Sequence, residues 1–114
     1  MRVVAVLLVL TACEGAEATD AEVCRDVVRR LCSSRCEAAD AKLGLTIDSN
    51  CTAQLTAASG CGSDDFKFES RSAFLSCRLP IIRAGDNVDQ VPSCDDVDDM
   101  LRGCPSLVQF YGGR

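Results

Sequence analysis

Nine cysteines fall within a chain of 114 residues, and this density limits the folds that are open to it. A domain of this size buries little apolar surface, so small exported domains rely on disulfides for much of their stability. Each native disulfide typically contributes about 2–4 kcal/mol. Aromatic residues are scarce, with four Phe, one Tyr and no Trp, so Ala, Val, Leu and Cys must fill most of the core. The composition predicts one small domain that disulfides hold together.

The charge balance argues against a nucleic-acid partner. The chain has 12 basic and 17 acidic side chains, and its net charge is -5. Proteins that bind a polyanion usually gather Lys and Arg into a patch. The nearest approach to such a patch is Arg25, Arg29 and Arg30, which lie among acidic residues. We therefore expect no nucleic-acid binding.

The first 13 residues have the pattern of an export signal. Arg2 gives a short positive start, and residues 3–10 are an uninterrupted apolar run. This run is too short to cross a membrane as a helix, which takes about 20 apolar residues. It ends in a sequence that resembles the lipobox of bacterial lipoproteins, in which an aliphatic residue and two small residues precede a cysteine: Leu10-Thr11-Ala12-Cys13.

The resemblance implies cleavage after Ala12, so that Cys13 becomes the new N-terminus and carries the lipid. The expected organisation is a signal peptide over residues 1–12, a lipidated tether over residues 13–19 and a cysteine-rich helical domain over residues 20–114. As a whole, the chain is similar to small cysteine-rich lipoproteins of unknown role in the outer membrane of Gram-negative bacteria.

Two further features of the sequence bear on the subcellular location of the protein. Glu14 follows Cys13 at the position where lipoproteins of the inner membrane typically have Asp, so the resemblance favours the outer membrane. A competing signal is Ala16-Glu17-Ala18, at which an ordinary signal peptidase could cut. If Cys13 is not lipidated, the expected product is a soluble secreted protein.

Eight cysteines remain when Cys13 is set aside, an even number that can close four disulfides outside the cytoplasm. These predicted disulfide cysteines are Cys24, Cys32, Cys36, Cys51, Cys61, Cys77, Cys94 and Cys104. Cys51 and Cys61 would lie about 15 Å apart along one helix, whereas a disulfide needs Cα atoms within about 7 Å. The same spacing separates Cys94 from Cys104, so we expect neither pair to form.

Cys32 and Cys36 are one helical turn apart on a shared face, and each is expected to bridge to a different helix. If the first two helices form an antiparallel hairpin about Gly44, Cys32 comes level with Cys61. That pair is the first choice on this geometry.

We predict a mainly α fold, a small disulfide-stapled helical domain of about four helices. Thr19 and Glu22 have the spacing of a capping box, which starts a helix at about residue 20. The apolar period continues to about residue 43, and Gly44 is the expected stop.

This first helix has one irregular position. Arg35 lies in the middle of the apolar face, so either its stem snorkels to solvent or the helix bends or breaks near Ser33 and Ser34. The opposite face is expected to be solvated, and it carries Arg25, Asp26, Arg29, Arg30, Glu37 and Asp40.

Two later segments, residues 50–61 and 93–104, are each predicted to form one short helix, because each has a polar cap and a Gly near its end. A further helix is expected to start at Ser63-Asp64-Asp65 and to include Phe66, Phe74 and Cys77. A short strand over residues 66–69 is the alternative. Residues 83–93 are expected to be a loop, and the apolar tail over residues 107–111 to dock on the core.

The residues available for chemistry are few. The chain has no histidine, which excludes Ser-His-Asp and Cys-His catalysis and His-ligated metal sites. No C-x-x-C motif opens a predicted helix, so thiol-redox catalysis is not indicated. The densest acidic cluster lacks EF-hand spacing and suits a helix start, where acids complement the helix dipole: Asp95, Asp96, Asp98 and Asp99. We expect no catalytic residues, no cofactor and no metal site.

A non-enzymatic role is therefore expected. The preferred hypothesis is a membrane-anchored envelope lipoprotein with a structural or protein-interaction role. Its partners would be the membrane, through lipid on Cys13, and an envelope protein. The alternative is a helical module that binds a small apolar ligand.

Overall fold

A computed structural model describes residues 18–82 and 91–113 of the chain. Within these residues there are seven helices and no strand. The helices are α1 (Asp20–Ser34), α2 (Glu37–Lys42), α3 (Cys51–Ser59), α4 (Arg71–Cys77), α5 (Leu79–Ile82), α6 (Cys94–Gly103) and α7 (Ser106–Gly112). The mainly α-helical class is confirmed for this part of the chain, but its helices are shorter and more numerous than the four expected. The predicted signal peptide, Cys13 and most of the predicted loop over residues 83–93 lie outside the described residues.

The first predicted helix is divided in two at Arg35. The capping box is present at its start: the Glu22 N–H donates to the Thr19 hydroxyl at 3.1 Å, and the Thr19 N–H donates to the Glu22 carboxylate at 2.9 Å. α1 then ends at Ser34, because Arg35 adopts a left-handed conformation with φ 44° and ψ 60°. Of the two alternatives, the helix break is the correct one.

The serines before the break help to end α1. The Ser33 hydroxyl donates to the Arg29 carbonyl and the Ser34 hydroxyl donates to the Leu31 carbonyl, both at 2.9 Å. Such side-chain bonds compete with the helical backbone pattern. Beyond the break, the Arg35 guanidinium reaches Asp40 at 2.9 Å and so ties α2 to the turn.

Two disulfides hold α1 against α3 in antiparallel order. Cys24 is bonded to Cys61 and Cys32 to Cys51, with Cα atoms 6.1 and 5.7 Å apart. The expected Cys32–Cys61 pair is wrong. It assumed a helix that continues to residue 43, whereas α1 stops at Ser34 and the chain returns with the start of α3 beside the end of α1.

The other two disulfides attach the C-terminal half. Cys36 is bonded to Cys94, which joins the start of α2 to the start of α6, and Cys77 is bonded to Cys104. As predicted, neither Cys51–Cys61 nor Cys94–Cys104 forms, and Cys32 and Cys36 bridge to different helices. α6 packs against α2 and α5, and α7 packs against α3 and α6.

The segment after α3 departs from the predicted helix. Ser63 closes a turn instead of capping a helix, since its carbonyl accepts from the Phe66 N–H at 3.1 Å. Ser70 is the N-cap of α4, and its hydroxyl accepts from the Ala73 N–H. Phe66 and Phe68 therefore precede the helix, and the alternative strand over residues 66–69 is not formed either.

The core lies between α1, α3, α6 and α7. Its largest fully buried side chains include Tyr111, Leu43, Leu55, Met100 and Leu101. Tyr111 comes from the docked tail, and its hydroxyl donates to the Cys24 carbonyl at 3.1 Å. The tail thus reaches the N-terminal half of α1 and closes the core.

The predicted solvated face of the first helix is wrong at Arg30, which is only 7 % exposed. Its guanidinium donates to Asp26 at 2.9 Å, and Arg29 and Arg78 also pair with this carboxylate. Arg78 directly follows α4 in the chain, so the α4–α5 region covers a part of α1 that its helical period assigns to solvent.

Candidate functional site

All five aromatic side chains of the protein pack into one cluster, although they come from two distant parts of the chain. The rings of Phe68 and Phe74 are stacked with centroids 4.1 Å apart. Phe66 meets Phe68 edge-on at 5.0 Å, and Phe110 lies 6.0 Å from Phe66. Offset and edge-to-face pairs of this kind add to the free energy gained by burial. We call Phe66, Phe68, Phe74, Phe110 and Tyr111 the aromatic cluster.

The cluster is closed at one end and open at the other. Tyr111 is fully buried and Phe74 is 7 % exposed, whereas Phe66, Phe68 and Phe110 are half-buried. These three rings line an open groove of about 490 Å³. The rest of the lining is Ala73, Phe74, Cys77 and Leu107, with Lys67, Glu69, Ser70, Ser106 and Gln109 as polar residues. We call this feature the aromatic groove.

Two hydrogen bonds, both accepted by the Asp20 carboxylate, hold the wall of the groove to the start of α1. The Phe68 N–H donates to Asp20 Oδ2 at 2.9 Å, and Arg71 Nη1 donates to Asp20 Oδ1 at 2.6 Å. The backbone hydrogen bond from Phe68, followed by the bond from Arg71, lowers the pKa of Asp20 below its ordinary value. The segment that carries Phe66 and Phe68 is therefore fixed to the residue that opens α1.

A disulfide joins the two walls of the groove. Cys77, at the end of α4, is bonded to Cys104, two residues before the start of α7. α4 contributes Phe74 to the groove and α7 contributes Leu107 and Phe110. Because a covalent bond joins the two walls, the groove is preformed.

We expect Asp20→Asn to destabilise the protein at neutral pH and to have less effect in acid. A carboxylate whose pKa is lowered on folding stabilises the folded state above the unfolded pKa, near 3.9, and loses this effect as pH falls through the folded value. The melting temperatures of wild type and Asp20→Asn should therefore converge below about pH 4. The control is Asp64→Asn, since this carboxylate pairs with Arg25 but is 90 % exposed. A difference that stays constant with pH would contradict the role given to Asp20.

A second depression lies at the other end of α1. It is lined by Arg35, Glu37, Asp40 and Ile47, among others. Arg35 Nη2 donates to the Thr46 carbonyl at 3.2 Å, which places the loop carrying Ile47 beside the C-terminal end of α1. Ile47 is 90 % exposed. The aromatic groove is attached at Asp20 and this depression at Arg35, two positions that lie about 22 Å apart along α1 at 1.5 Å per residue.

The predicted acidic cluster lies on α6 and makes ion pairs. Asp98 and Asp99 pair with Arg102 at 3.1 and 2.6 Å, and Lys42 lies 3.7 Å from Asp98. Asp95 and Asp96 occupy the first turn of the helix, where Ser93 is the N-cap. In residues 18–82 and 91–113, no group of three or more Cys, Asp or Glu is arranged to hold a metal ion.

The predicted disulfide cysteines all occur in bridges, and Cys77 and Cys104 support the groove directly. The aromatic groove itself was not predicted. The available signal was the confinement of the aromatic residues to two short stretches, residues 66–74 and 110–111.

None of the helices in the described part of the chain is long and apolar enough to cross a membrane. Comparisons with models of protein families, with curated proteins and with solved structures find no match to this chain.

Proposed function

We propose that this protein is a lipid-anchored, non-enzymatic component of a bacterial cell envelope, attached to the outer membrane through Cys13 and acting by binding. The observation that carries the proposal is the cysteine pairing. Four disulfides use eight of the nine cysteines, and the ninth is Cys13, at the end of the apolar run. A thiol at this position of a lipobox is the acceptor of the lipid.

The disulfides also define the environment of the folded domain. Four structural bridges place it in an oxidising compartment, either extracellular or within the envelope, because thiols in the cytosol are kept reduced. This environment is the one that an envelope lipoprotein requires.

Binding is favoured over catalysis by the character of the groove. Its apolar lining includes three half-buried phenylalanines, and the charged side chains in the lining are Lys67 and Glu69. The chain has no histidine to act as a general acid or base at neutral pH. Half-buried aromatic side chains that line an open groove are typical of contact surfaces.

The lipid anchor is tested by growing cells with a labelled fatty acid and comparing wild type with Cys13→Ser. We expect the wild-type protein to carry the label and to fractionate with the outer membrane, and the variant to carry none. Label that persists in Cys13→Ser would disprove lipidation at this residue. Ala16→Leu together with Ala18→Leu is the control, since it blocks the competing cleavage site and should leave the label in place.

A second candidate function is the binding of a small apolar ligand, which the volume and aromatic lining of the groove favour. Native mass spectrometry of protein purified from its own envelope would detect such a ligand. Loss of the extra mass in Phe110→Asp, but not in Ile47→Asp, would assign the ligand to the groove.

A further inference from the structure

We propose that the open side of the aromatic groove rests on the surface of the bilayer, beside the lipid on Cys13. This inference rests on the proposed function, because the anchor is what brings the groove to the membrane. The groove would then be a second contact with the membrane besides the lipid, and two contacts would fix the orientation of the domain relative to the bilayer.

The first argument is the reach of the tether. Asp20 accepts hydrogen bonds from both Phe68 and Arg71, so the wall of the groove is attached at the start of α1. Cys13 precedes Asp20 by seven residues. Even a fully extended chain spans at most about 3.6 Å per residue, which confines Asp20 to within roughly 25 Å of the lipidated residue. The wall of the groove is thus attached to the end of α1 that is nearer to the anchor along the chain.

The second argument is the chemistry of the groove and its surroundings. Phe66, Phe68 and Phe110 present apolar rings that are only half-buried. Exposed Lys67 lies between Phe66 and Phe68 in the chain, and its ammonium group can reach lipid phosphates while its stem covers apolar surface. Amphipathic helices that combine apolar residues such as Phe with Lys or Arg bury their apolar face about 5–10 Å into the boundary between headgroups and acyl chains, and the groove offers the same combination of side chains.

The third argument is competition for the groove. A protein tethered by a few residues experiences the bilayer at an effective concentration that a freely diffusing partner does not reach. The groove is also open along one side, whereas sites for small ligands usually enclose most of the ligand surface. The bilayer is therefore the occupant that the geometry favours.

The test uses tryptophan, which is absent from the wild-type chain. The mature lipidated form of Phe66→Trp, which begins at Cys13, is reconstituted into phosphatidylethanolamine and phosphatidylglycerol vesicles whose acyl chains carry bromine, a short-range quencher. The matched control is Ile47→Trp, at the opposite end of α1. We expect the indole introduced at Phe66 to be quenched several-fold more strongly than the one at Ile47. Phe110→Trp, on the other wall of the groove, should behave like Phe66→Trp.

Folding of each variant is verified by its four disulfides and by cooperative thermal unfolding, and anchoring is verified by flotation with the vesicles. Flotation with equally weak quenching at all three positions would overturn the bilayer contact and leave the anchor intact. Failure of the lipidated protein to float would overturn the anchor and the inference together. Weak quenching combined with photo-crosslinking of the groove to an envelope protein would assign the groove to a protein partner instead.

Discussion

Replacing Cys24 and Cys61 together with alanine is expected to lower the free energy of unfolding by about 4–5 kcal/mol. The bridge closes a loop with a sequence separation of 37, for which chain entropy alone accounts for about 4 kcal/mol. Both cysteines are fully buried, so the substitution also leaves a cavity between α1 and α3. Native proteins are often stable by only about 5–15 kcal/mol, so this loss removes about a third or more of the free energy of unfolding.

The matched control is the alanine replacement of Cys77 and Cys104. Their bridge spans a similar sequence separation of 27, but both residues are half-buried at the edge of the domain. We expect this pair to cost about 3.5 kcal/mol, which is the contribution of chain entropy alone, because little cavity volume is created. Urea unfolding followed by circular dichroism measures both values. A larger loss for the edge pair than for the core pair would show that the core does not depend on the Cys24–Cys61 contact.

Raising the pH above about 10 is expected to destabilise the wild-type protein through Tyr111, at close to 1.4 kcal/mol for each pH unit. Burial raises the pKa of Tyr111 far above its ordinary value of 10.0, with a smaller contribution from Asp26 in the same direction. Above the unfolded pKa, the unfolded chain therefore releases a proton that the folded chain retains. The free energy of unfolding then decreases as the pH rises.

Tyr111→Phe separates this effect from the titration of lysines. The variant loses the hydrogen bond to the Cys24 carbonyl, so it should be about 1 kcal/mol less stable than wild type at neutral pH. Its stability should fall less steeply above pH 10, and the two curves should converge. Tyr111 is the only tyrosine in the chain, so absorbance reports its ionisation directly. Ionisation near pH 10 in the folded protein would contradict its burial.

Local signals in the sequence were sufficient for several elements of the fold. The capping box of Thr19 and Glu22, and the caps at Asn50 and Ser93, act within three residues of sequence, and all three start helices. The limit of such signals appears at Ser63 and Ser70. By sequence alone, either serine can cap a helix. In the folded chain the N-cap is Ser70, and the Phe68 N–H just before it donates to Asp20, which is far away in the chain.

The burial of Arg30 and the choice of disulfide partners could not be predicted from local sequence, because both depend on contacts between distant segments. The helical period assigns Arg30 to solvent, but Arg78 and its neighbourhood cover it in the folded chain. Helix geometry was sufficient to exclude the Cys51–Cys61 and Cys94–Cys104 bridges, because both cysteines of each pair belong to one predicted helix. Choosing the partner of Cys32 required the relative position of two helices, which the break at Arg35 determines. The aromatic groove also depends on the relative position of distant segments, because its walls come from residues 66–77 and 106–110.

The order of the disulfides has a consequence for biogenesis. Numbered along the described chain, the eight cysteines pair as first with fifth, second with fourth, third with seventh and sixth with eighth. No bridge joins cysteines that are neighbours in this order. A chain that enters an oxidising compartment from its N-terminal end and oxidises each thiol as it arrives would first form bridges that the native domain lacks. Native pairing thus depends either on holding the early thiols reduced until Cys94 and Cys104 have arrived, or on thiol–disulfide exchange by an isomerase afterwards.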